Sequence, residues 1–224
     1  MSNHLSLVDH VYHRLRSEIL TGRIASGTKL VELDTANRMK TSQGTVREAL
    51  QRLEREGLVR REARRATYVT EIAEDEVHEY SRQRSLLESL IIRHAARRIQ
   101  DVECEQLEAL IEKMATAGRQ GDIEALIESD TQFHELICEC ANSPVLFAGW
   151  LPLFLQIQRY VGRHHERLTI PLPDIAETHH PIMRALCARD ADAAAAAIEE
   201  HIVTFWKHME SASSGGKPPD PGDF

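Results

Sequence analysis

The chain has 224 residues and a formal charge of −8 from 27 Lys/Arg and 35 Asp/Glu, with 42% hydrophobic residues, a composition that excludes wholesale disorder. Its longest apolar run, Val145 to Leu155, is interrupted by Pro152 and falls short of the roughly 20 residues a bilayer span needs, and the first 20 residues hold no apolar signal core, so a helical membrane protein and a secreted one are both excluded as expectations. The four cysteines form no CxxC pair and read as free thiols in a reducing cytoplasm.

Charge divides unevenly along the chain. Residues 1–72 carry 13 Lys/Arg against 9 Asp/Glu, net +4; the remainder is net −12. A basic module suited to a polyanion is joined to an acidic one that repels it.

In the basic module, Val8, Val11, Tyr12, Leu15 and Ile19 recur at helical spacing, and Gly22 follows where a helix-ending glycine belongs. A turn at Ala25-Ser26-Gly27-Thr28 leads to a second helix, about Val31 to Met39. Ser42 can cap a third, whose Val46, Ala49, Leu50 and Leu53 form one apolar stripe. Gly57 ends it; Leu58-Val59 and Thr67-Tyr68-Val69 read as two short strands around a loop bearing Arg60, Arg61, Arg64 and Arg65. Three helices and a basic hairpin outline a winged helix-turn-helix. On the third helix, the face opposite the apolar stripe carries Gln43, Thr45, Arg47 and Gln51, chemistry suited to base edges in a major groove, while Arg64 and Arg65 of the wing suit phosphates or the minor groove.

The run Ser42-Gln43-Gly44-Thr45-Val46-Arg47-Glu48-Ala49-Leu50-Gln51-Arg52-Leu53-Glu54-Arg55-Glu56-Gly57-Leu58-Val59, with its lead-in Ile19 to Leu30, resembles GntR-family transcriptional regulators. Gln43 and Thr45 depart from that family's usual Arg and Pro, which changes the expected base preference without changing the fold.

From about Ile72 the pattern is helical, with helices expected at about 75–99, 103–119, 122–141, 144–164, 174–189 and 191–210; the Ser/Gly/Pro-rich tail 211–224 reads as disordered. Three of these helices place metal-type ligands at stripe positions where leucine would pack: Asp130 and His134 at i,i+4 in the third, His179 in the fifth and His201 in the sixth. His180 shares its face with Arg184 and points outward; His164 and His165 read as solvated; Cys138, four residues past His134, reads as a small buried hydrophobe. One carboxylate and three imidazoles suit a divalent cation: Zn²⁺ first, Ni²⁺ or Mn²⁺ otherwise.

Asp130-Thr131-Gln132-Phe133-His134, Asn142-Ser143-Pro144 and His179-His180-Pro181-Ile182-Met183-Arg184-Ala185-Leu186 leading to His201 resemble the FCD effector domain of the FadR-type branch of the same family. The resemblance implies that Asp130, His134, His179 and His201 hold the metal at the floor of a pocket for a small organic acid. Arg84-Ser85-Leu86-Leu87-Glu88 matches that domain's first helix, and the Arg84 guanidinium suits an effector carboxylate.

The fold expectation is therefore a mainly α chain with a winged helix-turn-helix at 1–72, a helical effector domain at 73–210 and a tail. The functional expectation is a cytoplasmic, homodimeric regulator, not an enzyme, that binds a palindromic operator in double-stranded DNA under control of a carboxylate metabolite. Two rivals compete with it: a helical metal-dependent hydrolase, for which no general base lies beside the four ligands, and a sensor of the metal itself.

Overall fold

A computed structural model describes residues 6–62, 66–73 and 76–210. It is mainly helical, as the sequence predicts. The expectations for Arg64, Arg65 and the 211–224 tail lie outside the described residues.

The first domain opens with α1 (Leu7–Leu20), whose Ser6 cap and Asp9 form a reciprocal capping box. Strand β1 (Lys29–Leu30), α2 (Glu32–Met39), α3 (Gln43–Arg55), β2 (Val59–Glu62) and β3 (Ala66–Val69) follow. Ser42 caps α3 through the Thr45 amide, and Val46, Ala49, Leu50 and Leu53 are its buried residues. The sheet has order β1-β3-β2, antiparallel throughout, with Val59 opposite Val69 and Lys29 opposite Tyr68. Only the hairpin was foreseen. Two residues are too few to show a strand's alternation, so Lys29 and Leu30, between the turn at 25–28 and the helix from about Val31, carry no strand signal.

The second domain comprises α4 (Val77–Ala96), α5 (Asp101–Gln120), α6 (Ile123–Ala141), α7 (Pro144–His164), a 3₁₀ turn (His165–Arg167), α8 (Leu172–Glu177), α9 (His180–Cys187) and α10 (Ala191–Glu210). No described helix is long and apolar enough to cross a membrane. The helix expected over 174–189 is two helices. Pro181 lacks an amide hydrogen and is tolerated in the first turn of α9, so the chain breaks at Thr178 and restarts. That break leaves His179 at the cap position of α9, fully buried.

The two domains dock through α7. Gln156 donates to the Gly57 carbonyl at 2.8 Å, and Arg159 donates to the Thr70 carbonyl at 2.5 Å. Gly162 lies against the last turn of α1, where a Cβ would land on the Leu20 carbonyl oxygen and 3.0 Å from its carbon. Arg16 pairs with Glu135 at 3.1 Å and Arg23 with Glu124 at 2.5 Å, tying α1 and the turn after it to α6.

The reading of all four cysteines as free thiols is corrected. Cys104, in the first turn of α5, is disulfide-bonded to Cys187 at the end of α9, with Cα atoms 5.9 Å apart. The packing of α9 across the start of α5 brings them together, and a sequence separation of 83 residues gives no hint of it. Cys138 and Cys140 remain free. Thiol titration in denaturant without reductant is expected to find those two cysteines, and all four after reduction; four at the outset would refute the pairing.

Candidate metal and effector site

The site grows from side chains that interrupt the apolar stripes of α6 and α10 and from the cap of α9. On α6, Phe133, His134, Ile137 and Cys138 are buried together; on α10, His201 lies among Ala194, Ile198 and Ile202; His179 caps α9. The three imidazoles meet. Their ring centroids are 5.6 Å apart for His134–His179 and His134–His201 and 4.5 Å for His179–His201, and one ligand atom from each lies within 4.8 Å of the others. Phe133 stands edge-on to His134 and His179 and shields them from solvent.

Each imidazole has its Nδ1 engaged elsewhere. His134 Nδ1 lies 3.0 Å from Glu88 Oε2, an ion-pair contact. His179 Nδ1–H donates to the Ile175 carbonyl at 3.0 Å. Thr178 donates its hydroxyl hydrogen to that same carbonyl at 2.7 Å, so its oxygen accepts from His201 Nδ1–H at 3.1 Å. The Nε2 atoms face inward, that of His179 onto Asp130 at 3.0 Å and that of His134 towards Arg84 at 3.3 Å. Metal-binding histidines are oriented this way, with the outer nitrogen fixed by an acceptor. Burial, with His179 next to it, holds His201 well below the ordinary imidazole pKa and so keeps it neutral.

Asp130 joins through His179, with Oδ1 3.0 Å from Nε2, and its other oxygen accepts from Gln158. Burial opposes its ionisation, but the contact with His179 holds its carboxyl well below the usual range. An ionised carboxylate thus faces an imidazole nitrogen whose proton is committed to the opposite side. Two lone pairs at that distance require a cation between them, a proton or a metal. The donor set fits a divalent metal: imidazole nitrogens and a carboxylate oxygen.

Arg84 is a buried side chain, 4% exposed, rather than a surface arginine. It donates to Glu88 at 2.6 Å, lies 3.3 Å from His134 Nε2 and stacks on Phe154 at 4.7 Å. Burial opposes ionisation of Glu88 too; the Arg84 charge and His134 overcome it and hold that carboxyl well below its ordinary range. Trp150 Nε1 also donates to Glu88, at 2.8 Å. The sequence reading missed Glu88, Thr178 and Gln158. For Glu88 a signal existed: Arg84 and Glu88 stand at i,i+4 on the stripe that continues through Ile91, Ile92 and Ala95. Glu88→Ala leaves Arg84 buried without its partner, and chemical denaturation is expected to show a loss of roughly 3–5 kcal/mol.

Arg84, Asp130, Gln158 and His201 line a cavity, and so does His165. The reading of His165 as solvated is corrected: the 3₁₀ turn folds the chain over the cavity, with Nδ1 2.8 Å from the Gly162 carbonyl. His164 is half-buried, its ring 4.6 Å from that of Tyr160. His180 pairs with Glu177 and Glu108, away from the cluster. Cys138 is buried and outside the cluster of three histidines, and burial pushes its thiol up, so it carries no thiolate.

On the first domain, Gln43, Arg47 and Gln51 are exposed on α3 and Thr45 is half-buried at the cap. Arg47 grips Glu32 of α2 with two nitrogens, at 2.6 and 3.1 Å. Arg60 and Arg61 are exposed on β2.

Residues 7–69 match the family "bacterial regulatory proteins, gntR family", and residues 79–204 match the FCD domain. The chain is 30% identical to a probable D-xylose utilization operon transcriptional repressor of Paenarthrobacter nicotinovorans, over 88% of this chain and 86% of that protein. It is 29% identical to the HTH-type transcriptional repressor RspR of Escherichia coli, over 86% and 84%. Among solved structures, E. coli McbR/YncC superposes with a TM-score of 0.79 at 23% identity, covering 93% of this chain and 99% of that one, a likeness of fold.

Proposed function

Because this chain belongs to the GntR family of bacterial transcriptional regulators and carries an FCD effector domain, we propose that its operator affinity is set by a small carboxylate held at a divalent cation, zinc first, between Asp130, His134, His179 and His201. The observation that carries this reading is the convergence of three buried imidazoles, each with its outer nitrogen occupied, beside a cavity that Arg84 also lines. When bound, the cation supplies a Lewis-acidic anchor for a carboxylate oxygen. Arg84 orients that carboxylate, and Phe133 and Phe154 exclude water from its surroundings. The hydrolase alternative falls away, since the relatives matched over most of this chain are transcriptional repressors.

The link to DNA is α7. Ile157, Gln158 and Val161 line the cavity, while Gln156, Arg159 and Gly162 of the same helix contact the winged helix. A ligand that fits one placement of α7 better than another shifts the poise of the DNA-binding domain by that difference in affinity.

On DNA, α3 occupies the major groove with Gln43, Thr45, Arg47 and Gln51 toward the bases, and Arg64 and Arg65 of the wing reach the backbone or minor groove. Glu32 holds Arg47 extended from α3 until a base edge or phosphate takes it. Arg47→Ala is expected to weaken operator binding by about tenfold or more while zinc content stays unchanged, read by gel retardation and metal analysis. Undiminished specific retention would remove α3 as the reading helix.

The functional unit is a cytoplasmic homodimer on a palindromic site, with recognition helices one DNA turn apart, roughly 34 Å. Leu86 and Leu90 on α4 and Val145 on α7, exposed at 75%, 44% and 83%, support self-association of the effector domains. Light scattering on the Leu86→Glu, Leu90→Glu double variant tests this: a monomer supports it, and an unchanged dimer excludes this face. The sensor of metal alone is the second reading; it predicts that zinc shifts operator affinity with no acid present.

A further inference from the structure

The cavity beside the histidine cluster takes its polar lining from Arg84, Asp130, Gln158, His165 and His201, each already partnered within the protein. Nine of its fourteen lining residues are apolar, among them Leu126 and Ile127 from α6, Ile157 and Val161 from α7, Leu172 from α8 and Phe205 from α10. Arg84 is the one guanidinium among them, and its charge is already balanced by Glu88 at 2.6 Å. The wall therefore has no countercharge for a second carboxylate, and few partners for hydroxyl groups. Burying a hydroxyl against Ile127 or Val161 without a hydrogen bond costs more than the contact returns, whereas a methylene there gains from leaving water.

We propose that the effector is a monocarboxylate with a hydrocarbon body, its acid end at the histidine floor and its chain along α6 and α7. Sugar acids and di- or tricarboxylates are excluded by the wall, not by the floor. This inference rests on the carboxylate-and-metal reading above and adds the selectivity.

Acetate, butyrate, hexanoate and gluconate separate the two. Hexanoate and gluconate have the same carbon count and the same carboxylate, and differ only in hydroxylation. Calorimetric titration of the zinc-loaded full-length protein is expected to show affinity rising about fourfold for each methylene from acetate to hexanoate. Gluconate should bind at least about 100-fold more weakly than hexanoate. Val161→Thr, which keeps side-chain volume and adds a hydroxyl to the wall, should lower the ratio of hexanoate to acetate affinity several-fold and leave zinc content unchanged. Equal affinity for all four acids, or gluconate tighter than hexanoate, would overturn the hydrocarbon selectivity while leaving the carboxylate reading intact. No binding of any acid, acetate included, would overturn that reading and the selectivity with it.

Discussion

Replacing His134 with alanine is expected to lower zinc affinity by more than about 100-fold and to remove the stabilisation that zinc gives the wild type. The size follows from the architecture. Loss of a residue that merely orients a metal ligand costs about 10–100-fold, and His134 is itself a ligand in this account, oriented by Glu88. A cation that binds only the folded chain adds about 2.7 kcal/mol at a free concentration 100 times its dissociation constant. For a chain of this length that corresponds to a melting shift of roughly 5–11 °C, which a chelator should reverse. Zinc should give this shift in the wild type and nothing comparable in His134→Ala. An equal shift in both would separate the stabilisation from the cluster. His179→Ala and His201→Ala are expected to behave alike, because each would remove one of three donor atoms that lie within 4.8 Å of one another.

Gly162→Ala is expected to uncouple the domains. A methyl group at this position collides with the Leu20 carbonyl, which is backbone at the end of α1 and cannot swing aside as a side-chain tip would. The neighbouring Ile127 Cδ1, 3.0 Å from the same point, can yield by rotating. Overpacking of this kind costs typically 1–3 kcal/mol, and here the relief available is separation of α1 from α7. The expected phenotype is a protein that retains zinc and DNA binding but whose operator affinity no longer responds to the acid. Fluorescence anisotropy with labelled operator, with and without hexanoate, reads this directly. A full response in Gly162→Ala would place the coupling elsewhere than the α1–α7 junction.

Much of this was legible in the sequence because short-range patterns carried it. The α3 stripe, its Ser42 cap and the i,i+4 pair Asp130/His134 are local in the chain, and periodicity alone sets their faces. His179 was found for a partly mistaken reason: it was placed on a continuous helix, whereas Pro181 ends one helix and starts another, leaving His179 at the junction. Asp130 sits at the edge of the cluster rather than its centre, contacting His179 and Gln158. Glu88, Thr178 and Gln158 escaped because their importance comes from what they touch across elements; a threonine beside a histidine or a glutamine in an apolar helix has no signature until the helices are packed. The same holds for Glu32 on Arg47 and for Cys104 on Cys187, joined across 15 and 83 residues respectively. Gly162, where a Cβ would meet the end of α1, looks like any helix-weakening glycine until α1 is laid against it.

The effector site as proposed depends on three histidines, from α6, α9 and α10, sharing one cation. Crystals grown with zinc and measured at the zinc absorption edge test it most directly. A single anomalous peak per chain is expected about 2.0–2.1 Å from the Nε2 atoms of His134, His179 and His201, with Asp130 as the oxygen donor. A cluster without that peak, or zinc bound elsewhere while the three imidazoles stay hydrogen-bonded among themselves, would contradict it.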